Sequence, residues 1–169
     1  MKTLVITGSM GAGKTTMIGE LSDLLAAAGV AHAAIDIDAL GSAHHPRATF
    51  DLAAIAYRNL AAVVRNYAAE GVTSFVMAGA IENASELARL RDAAGGGELV
   101  VCRLRAPVDV MEKRVRVREP GMWREKYVGR VAPLEETLDK AAIEDFAVAN
   151  DGGRPITEVA GEILQRAGW

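Results

Sequence analysis

The chain has 169 residues and a formal net charge of -3, and half of its residues are hydrophobic. This length suits one compact domain over residues 1–169 with a sizeable buried core. The acidic balance argues against general nucleic-acid binding, which depends on Lys and Arg facing phosphates. No apolar stretch approaches the ~20 residues of a membrane-spanning helix, which argues against a membrane partner.

Cys102 is the single cysteine, so an intrachain disulfide cannot form. It lies in an apolar run and is expected to be a small buried hydrophobe. A chain with this cysteine usage suits a reducing compartment, and we expect a cytoplasmic protein. Residues 1–8 run directly into a glycine-rich motif and are not expected to be a removable signal peptide.

Short apolar runs alternate along the chain with segments of helical periodicity. The predicted strands cover residues 3–7, 31–37, 73–78, 98–104 and 146–149. The predicted helices cover residues 14–28, 51–70, 85–93, 107–120, 133–143 and 155–166, with Ser85 as the N-cap of the third. This alternation predicts an α/β fold in which a parallel sheet carries helices on both faces.

A phosphate-binding motif follows the first predicted strand and opens the first helix. Its residues fit G-x-x-x-x-G-K-[ST] in full: Gly8, Ser9, Met10, Gly11, Ala12, Gly13, Lys14 and Thr15. Glycines let consecutive backbone N–H groups point at phosphate oxygens, and the helix N-terminus adds its dipole. Lys14 is predicted to contact the β- and γ-phosphates, and Thr15 to offer a hydroxyl to Mg²⁺. We expect these residues, with Thr16, to bind ATP.

The position of the acidic residues bears on the class of P-loop protein. A GTPase or an ATP-driven machine usually has an apolar strand ending in an Asp that holds magnesium. No acid ends the third strand at residues 75–80, whereas Asp36 and Asp38 follow the second. In an extended strand these two side chains would point the same way. One of them could instead be a helix N-cap.

The chain resembles the small P-loop kinases in three features. They are the phosphate-binding motif of residues 8–15 (the P-loop), the Asp-x-Asp after the second strand, and the basic segment of residues 112–118 before the last strand. That group includes shikimate, gluconate, adenylylsulfate and nucleoside-monophosphate kinases and chloramphenicol phosphotransferase. The resemblance implies a P-loop NTPase three-layer sandwich with a five-stranded parallel sheet in the order 2-3-1-4-5. It also implies a lid between strands 4 and 5, here residues 112–133. The activity implied is transfer of the γ-phosphate of ATP to a hydroxyl of a small molecule, with Mg²⁺.

The same resemblance assigns roles to the acidic pair. Asp36 would assist Thr15 in holding magnesium, and Asp38 would contact the acceptor hydroxyl. The order could be reversed, or Asp36 alone could act as the base. With Lys14, these carboxylates are the candidate catalytic residues.

The basic segment adds two candidates: Arg118 as a catalytic residue and Arg114 as a nucleotide-binding residue. Arg114 and Arg118 are four residues apart and share a helix face. They resemble the Arg-x-x-x-Arg of the family, in which the first arginine stacks on adenine and the second reaches the transferring phosphate. The alternative is a solvated basic helix face, with either arginine paired to Glu112 or Glu119.

The turn at residues 150–155 resembles the family's loop beneath the adenine ring. Asn150, Gly152 and Arg154 are therefore candidate nucleotide-binding residues. The alternative is a plain glycine turn that joins the last strand to the last helix.

The acceptor is expected to bind in the region of residues 39–67. The polar candidates are His44, His45, Arg47, Tyr57, Arg58 and Asn59, together with Glu82 and Asn83 after the third strand. There is no second arginine cluster of the kind that clamps a monophosphate or carboxylate. Two alternatives stay open: a nucleoside or nucleotide kinase, and an ATP-binding regulatory or resistance protein without transfer activity. The sequence carries no signal for the oligomeric state.

Overall fold

The computed structural model describes residues 1–44 and 51–169. Its strands are β1 (Lys2–Thr7), β2 (His32–Asp36), β3 (Ser74–Ala78), β4 (Glu98–Arg105) and β5 (Phe146–Ala149). They form one sheet in the order β2-β3-β1-β4-β5, and every pairing is parallel. The predicted sheet and its strand order are confirmed. A parallel sheet brings the carboxyl ends of its strands to one edge, where ligands of such sheets bind.

The helices lie between and after the strands. They are α1 (Lys14–Ala27), α2 (Ile37–Leu40), α3 (Leu52–Ala69), α4 (Ala84–Ala93), α5 (Val108–Arg118), α6 (Arg124–Val128), α7 (Val131–Ala141) and α8 (Ile156–Arg166). Within the described part of the chain, none of them is both long and apolar enough to cross a membrane.

Two helix starts differ from the prediction because side chains cap them. The second strand stops at Asp36, whose carboxylate accepts a hydrogen bond from the backbone N–H of Asp38 at 3.1 Å and so starts α2. Helix α4 is capped by Asn83, which accepts from the N–H of Glu86 at 3.0 Å. The prediction of Ser85 as the cap was therefore wrong by two residues. Both corrections follow the preference of Asp and Asn for the N-cap.

The central strand is buried on both faces, as its apolar sequence predicts. Leu4 and Ile6 pack into one core cluster with residues of α1, α5 and α8. Val5 points the other way and packs with residues of α3 and α4. The molecule therefore has three layers, with a helical layer on each side of the sheet.

A buried charge network fastens β4 to α7. Arg103 is 1% exposed, and it donates to the carboxylate of Glu135 at 2.7 Å and to the backbone carbonyl of the same residue at 3.2 Å. Its other nitrogen lies 3.0 Å from Asp139 and 3.4 Å from Glu144. Since α7 begins within the last three residues of the predicted lid, this network fixes the C-terminal end of that segment to the sheet.

Arg103→Met is expected to lower the free energy of unfolding by about 3 kcal/mol, because it leaves the buried carboxylate of Glu135 with only a 3.7 Å contact to Arg105. The matched control is Arg105→Met, whose side chain is 46% exposed and pairs with Asp139 at 2.5 Å. Its loss is expected to cost less than about 1 kcal/mol. Urea unfolding of both variants measures the difference. Equal losses would contradict a special role for the buried guanidinium.

Candidate active site

The phosphate-binding loop lies at the carboxyl end of β1 and depends on its glycines. Gly8, Gly11 and Gly13 have φ angles of 148°, 79° and 96°, where side chains are strongly disfavoured. Space is also lacking: a Cβ at Gly11 would collide with the backbone carbonyl of Met111. The loop can therefore pack this closely against α5 only without a side chain at that position.

Gly11→Ala is expected to abolish detectable nucleotide binding, because both the backbone angle and the Met111 carbonyl oppose the added methyl group. Gly19→Ala is the control, since Gly19 lies within α1 with open space around it. That change is expected to stabilise the protein by about 0.5–1 kcal/mol through helix propensity. Calorimetric titration with Mg·ATP and thermal unfolding test both variants. Nucleotide affinity retained in Gly11→Ala would contradict the close-packing argument.

Lys14 is held against the loop that it follows. Its amine donates to the backbone carbonyls of Gly8 at 3.0 Å and Ser9 at 3.3 Å. Burial lowers the pKa of Lys14, while the nearby carboxylate of Asp38 opposes that shift. The hydroxyl of Ser9 in turn donates to the carbonyl of Val131 at 2.9 Å, which ties the loop to the first residue of α7.

Asp36 links the loop to the end of β2. The hydroxyl of Thr15 donates to one carboxylate oxygen of Asp36 at 2.8 Å, and the other oxygen caps α2. A hydroxyl and a carboxylate side by side are hard oxygen donors that suit Mg²⁺. No cluster of three or more His, Cys, Asp or Glu side chains able to hold a metal occurs in residues 1–44 and 51–169. The pair therefore fits an ion whose remaining ligands are phosphates and water.

Asp38 reaches the same region by a route that the sequence did not predict. The chain is helical from Ile37 onward, so Asp36 and Asp38 are not two residues of one extended strand. The prediction that their side chains point the same way from a strand was therefore wrong. Asp38 lines a cavity with Lys14, and its residue surface is open to solvent on one side while the protein surrounds it on the other. Desolvation within this cavity raises the pKa of the Asp38 carboxyl, and the charge of Lys14 limits the rise. Such a carboxylate is a stronger proton acceptor than an ordinary one.

A cleft of about 380 Å³ beside the loop brings together most of the predicted nucleotide-binding residues. It is lined by Gly11, Gly13, Thr16, Arg114, Arg118, Asn150, Gly152, Arg154 and Ile156. The remaining loop positions lie elsewhere: Ser9 and Ala12 are buried, and Met10 lines the cavity beside Asp38.

Hydrogen bonds fix one wall of this cleft. Arg114 donates to the carbonyl of Asn150 at 2.8 Å and to that of Gly11 at 3.3 Å. The side-chain amide of Asn150 donates to the carbonyl of Ala12 at 2.8 Å. Arg114 and Asn150 therefore join three segments of the chain that line the cleft.

The other two basic residues of the cleft have carboxylate partners. Arg118 donates to Glu119 at 2.9 Å, and Arg154 donates to Glu162 at 2.8 Å. The surface pairing considered for Arg118 is thus present. Its positive charge nevertheless contributes to lowering the pKa of Lys14, and Arg118 lines the same cleft as the loop residues Gly11 and Gly13.

The architecture is similar to that of several solved kinase structures. A gluconokinase from Sinorhizobium meliloti 1021 is 23% identical, with a TM-score of 0.62, over 99% of this chain and 91% of the other. The APS kinase of Mycobacterium tuberculosis is 20% identical, with a TM-score of 0.67, over 99% and 98%. A shikimate kinase from Acinetobacter baumannii is 21% identical, with a TM-score of 0.62, over 98% and 92%. The fold is that of the small P-loop kinases.

The sequence itself matches no protein-family model and no curated protein. The likeness to the solved structures therefore establishes the P-loop kinase fold, which the sequence resemblance predicted. It leaves the acceptor to be argued from the cavity of this chain.

This second cavity, of about 520 Å³, is lined by Lys14 and Asp38 and does not include the cleft residues Arg114 and Asn150 in its lining. Of the predicted acceptor residues, Tyr57 and Glu82 line it. Asn59 instead donates to the carbonyl of Leu40 at 2.8 Å, and Asn83 caps α4. The remaining candidates are not among its lining residues or lie outside the described part of the chain: His44 and Arg58 are exposed, and His45 and Arg47 fall within residues 45–50.

Sequence reasoning missed four polar residues of this cavity: Ser42, Glu86, Tyr127 and Arg130. Arg130 lies within the predicted lid of residues 112–133. A signal for Glu86 existed, because Asn83-x-x-Glu86 has the spacing of a capping box. That pattern places its carboxylate at the start of α4, near the carboxyl end of β3. Nothing in the local sequence marks Tyr127, which reaches the cavity from α6.

Proposed function

We propose that the chain is an ATP-dependent phosphotransferase that moves the γ-phosphate of ATP to a hydroxyl of a small molecule. The observation that carries the proposal is the position of Lys14 and Asp38. Lys14 belongs to the phosphate-binding loop, yet it also lines the second cavity together with Asp38. A triphosphate bound on the loop would therefore present its terminal phosphate at the mouth of a cavity that holds a candidate base.

In the proposed reaction, the acceptor oxygen forms a bond to the γ-phosphorus as the bond between that phosphorus and the departing ADP oxygen breaks. The carboxylate of Asp38 holds the acceptor hydroxyl in line and takes its proton. The raised pKa of Asp38 favours this role over a purely structural one.

Asp36 has a different role in this proposal, because its oxygens are already used by Thr15 and by the cap of α2. Thr15 and Asp36 would hold Mg²⁺, directly or through water. The ion supplies neutralisation of the phosphate charge when it is bound.

Lys14 and Arg118 are the cations proposed to stabilise the charge that develops on the transferring phosphoryl group. Lys14 would exchange its bonds to the loop carbonyls for phosphate oxygens. Arg118 lies exposed at the end of α5 and would leave its partner Glu119 to reach the phosphate. Donors aimed at developing charge in a site that excludes water supply much of the catalysis in such reactions.

Release of ADP from Mg·ATP tests the proposal, measured against pooled acceptors that include sugars, nucleosides, nucleotides, sugar acids and amino alcohols. An acceptor-dependent signal that is lost in Lys14→Met is expected. A signal confined to nucleosides or nucleotides would identify a nucleoside or nucleotide kinase. Tight ATP binding without acceptor-dependent release across the pools would count against transfer and favour a regulatory or resistance protein that binds ATP.

A further inference from the structure

The second cavity has apolar walls around a polar rim. Its apolar lining comes from the phosphate loop, α2, α3, α7 and the segment after β3, and it includes Met10, Ile37, Ala56, Ile81 and Leu134. Ile37 and Ile81 are almost fully buried, at 4% and 1% exposure, so they form a fixed floor. A ligand that fills this cavity must bring an apolar body to bury against these side chains.

The charges of the cavity are mainly negative. Asp38, Glu82 and Glu86 all line it, whereas Arg130 is the guanidinium among its described lining residues. Arg130 already faces Glu82 at 3.9 Å, and both side chains are partly exposed. Lys14 also lines the cavity, but the proposed function assigns its charge to the triphosphate. An anionic acceptor would therefore meet an excess of carboxylates.

Two of these carboxylates lie next to each other. One oxygen of Glu86 accepts a hydrogen bond from the backbone N–H of Glu82 at 2.8 Å, which holds the Glu86 side chain at the start of α4. This hydrogen bond uses one carboxylate oxygen of Glu86, and the other oxygen can accept a hydrogen bond from a ligand. Glu82 has only the long contact to Arg130 among its ion pairs in the described chain.

The phenol of Tyr57 lies in the field of these carboxylates. Burial raises the pKa of Tyr57 to about 12, and the charges of Glu86 and Asp38 add to the shift. The phenol consequently stays neutral and offers a hydrogen-bond donor and an aromatic face. An aromatic face and adjacent carboxylates are the surroundings that an ammonium group prefers.

We propose that the acceptor is an amino alcohol with an apolar body, an inference that rests on the proposed transferase function. Its ammonium group lies against Glu82 and Glu86, and its apolar body packs on the floor of the cavity. Its hydroxyl faces Asp38, which takes the proton as the oxygen accepts the γ-phosphate of ATP.

Three probes of one scaffold separate charge from shape: 2-amino-1-phenylethanol as the cation, 1-phenyl-1,2-ethanediol as the neutral compound, and mandelate as the anion. Their dissociation constants are measured by ligand-observed NMR, in the presence of Mg²⁺ and a non-hydrolysable ATP analogue. The expected order of affinity is cation, then neutral compound, then anion. This readout needs no phosphoryl transfer, so it can fail or succeed independently of ADP release.

Glu82→Gln and Glu86→Gln remove one charge each, and glutamine keeps the capping hydrogen bond at position 86. Each change is expected to weaken the cation about three- to fivefold and to leave the neutral compound unchanged. Glu98→Gln is the control, because Glu98 is exposed at the amino end of β4, on the opposite edge of the sheet.

Three results would overturn the inference. The first is no binding of the cation by protein that binds the ATP analogue. The second is equal affinity for the cation and the neutral compound. The third is tighter binding of mandelate that is lost in Arg130→Gln, which would assign the cavity to anionic acceptors. Transfer to a sugar acid in the ADP assay would likewise refute the amino alcohol while supporting the transferase.

Discussion

Lys14→Met is expected to reduce phosphoryl transfer by about 10²–10³-fold, the usual cost of removing one preorganised donor from a transition state. Methionine keeps the length and apolar stem of lysine, so the loss reports the charge and not the packing. Lys140→Met is a matched control, since Lys140 is exposed on α7. Steady-state ADP release measures both variants, and transfer preserved in Lys14→Met would exclude the P-loop as the catalytic centre.

The same substitution is expected not to lower the thermal unfolding midpoint. Burial lowers the pKa of Lys14, which means that holding its charge in the folded loop opposes stability at neutral pH. An active-site cation whose removal leaves stability unchanged or raised is typical of a group retained for function. A large fall in the midpoint would instead indicate that the bonds from Lys14 to the loop carbonyls are structural.

Asp38→Asn is expected to lower transfer by about 10²–10⁴-fold while Mg·ATP affinity changes little, because the base is removed and the phosphate contacts remain. Asparagine preserves the shape of the side chain and its position on α2. Asp23→Asn, at an exposed position of α1, is the control. A fall in ATP affinity as large as the fall in rate would place Asp38 on the magnesium side and exchange its role with that of Asp36.

The pH dependence of phosphoryl transfer and of stability provides an independent test of the role of Asp38. Because the pKa of Asp38 is raised above its ordinary value of 3.8, transfer should decline as the pH falls through the raised pKa. The folded state then binds a proton more readily than the unfolded state, so ionised Asp38 opposes stability above that pKa. Asp38→Asn should therefore raise the free energy of unfolding slightly at pH 7, with the gain vanishing below pH 3.8. The opposite sign would contradict the desolvated carboxylate.

The elements of this fold could be predicted where a local pattern determines them. The apolar run of β1 and the glycine-rich motif after it follow from the residues alone. The order of the strands came from the resemblance to P-loop kinases and not from periodicity. Helix α6 was missed because the five residues Arg124–Val128 are too few to show a helical period.

The candidate site divides in the same way. The phosphate loop is contiguous, so its sequence determines its geometry. The second cavity is assembled from separate segments, and Tyr127 reaches it from α6, far along the chain from Lys14 and Asp38. The pairing of Asp36 with Thr15 depends on β1 and β2 ending at the same edge of the sheet with β3 between them, which the spacing of the residues in sequence does not reveal.

The side-chain bonds to the loop have a consequence for how nucleotide arrives. Carbonyls of Gly8, Ser9, Gly11 and Ala12 already accept hydrogen bonds from Lys14, Arg114 and Asn150. This backbone is already ordered in the folded protein, so the entropy of ordering it does not weaken the binding of nucleotide. If ATP binds as proposed, it would meet a loop whose Gly11 and Ala12 carbonyls stay bonded to Arg114 and Asn150. Its association rate should therefore follow diffusion and ionic strength and not a slow rearrangement of the loop.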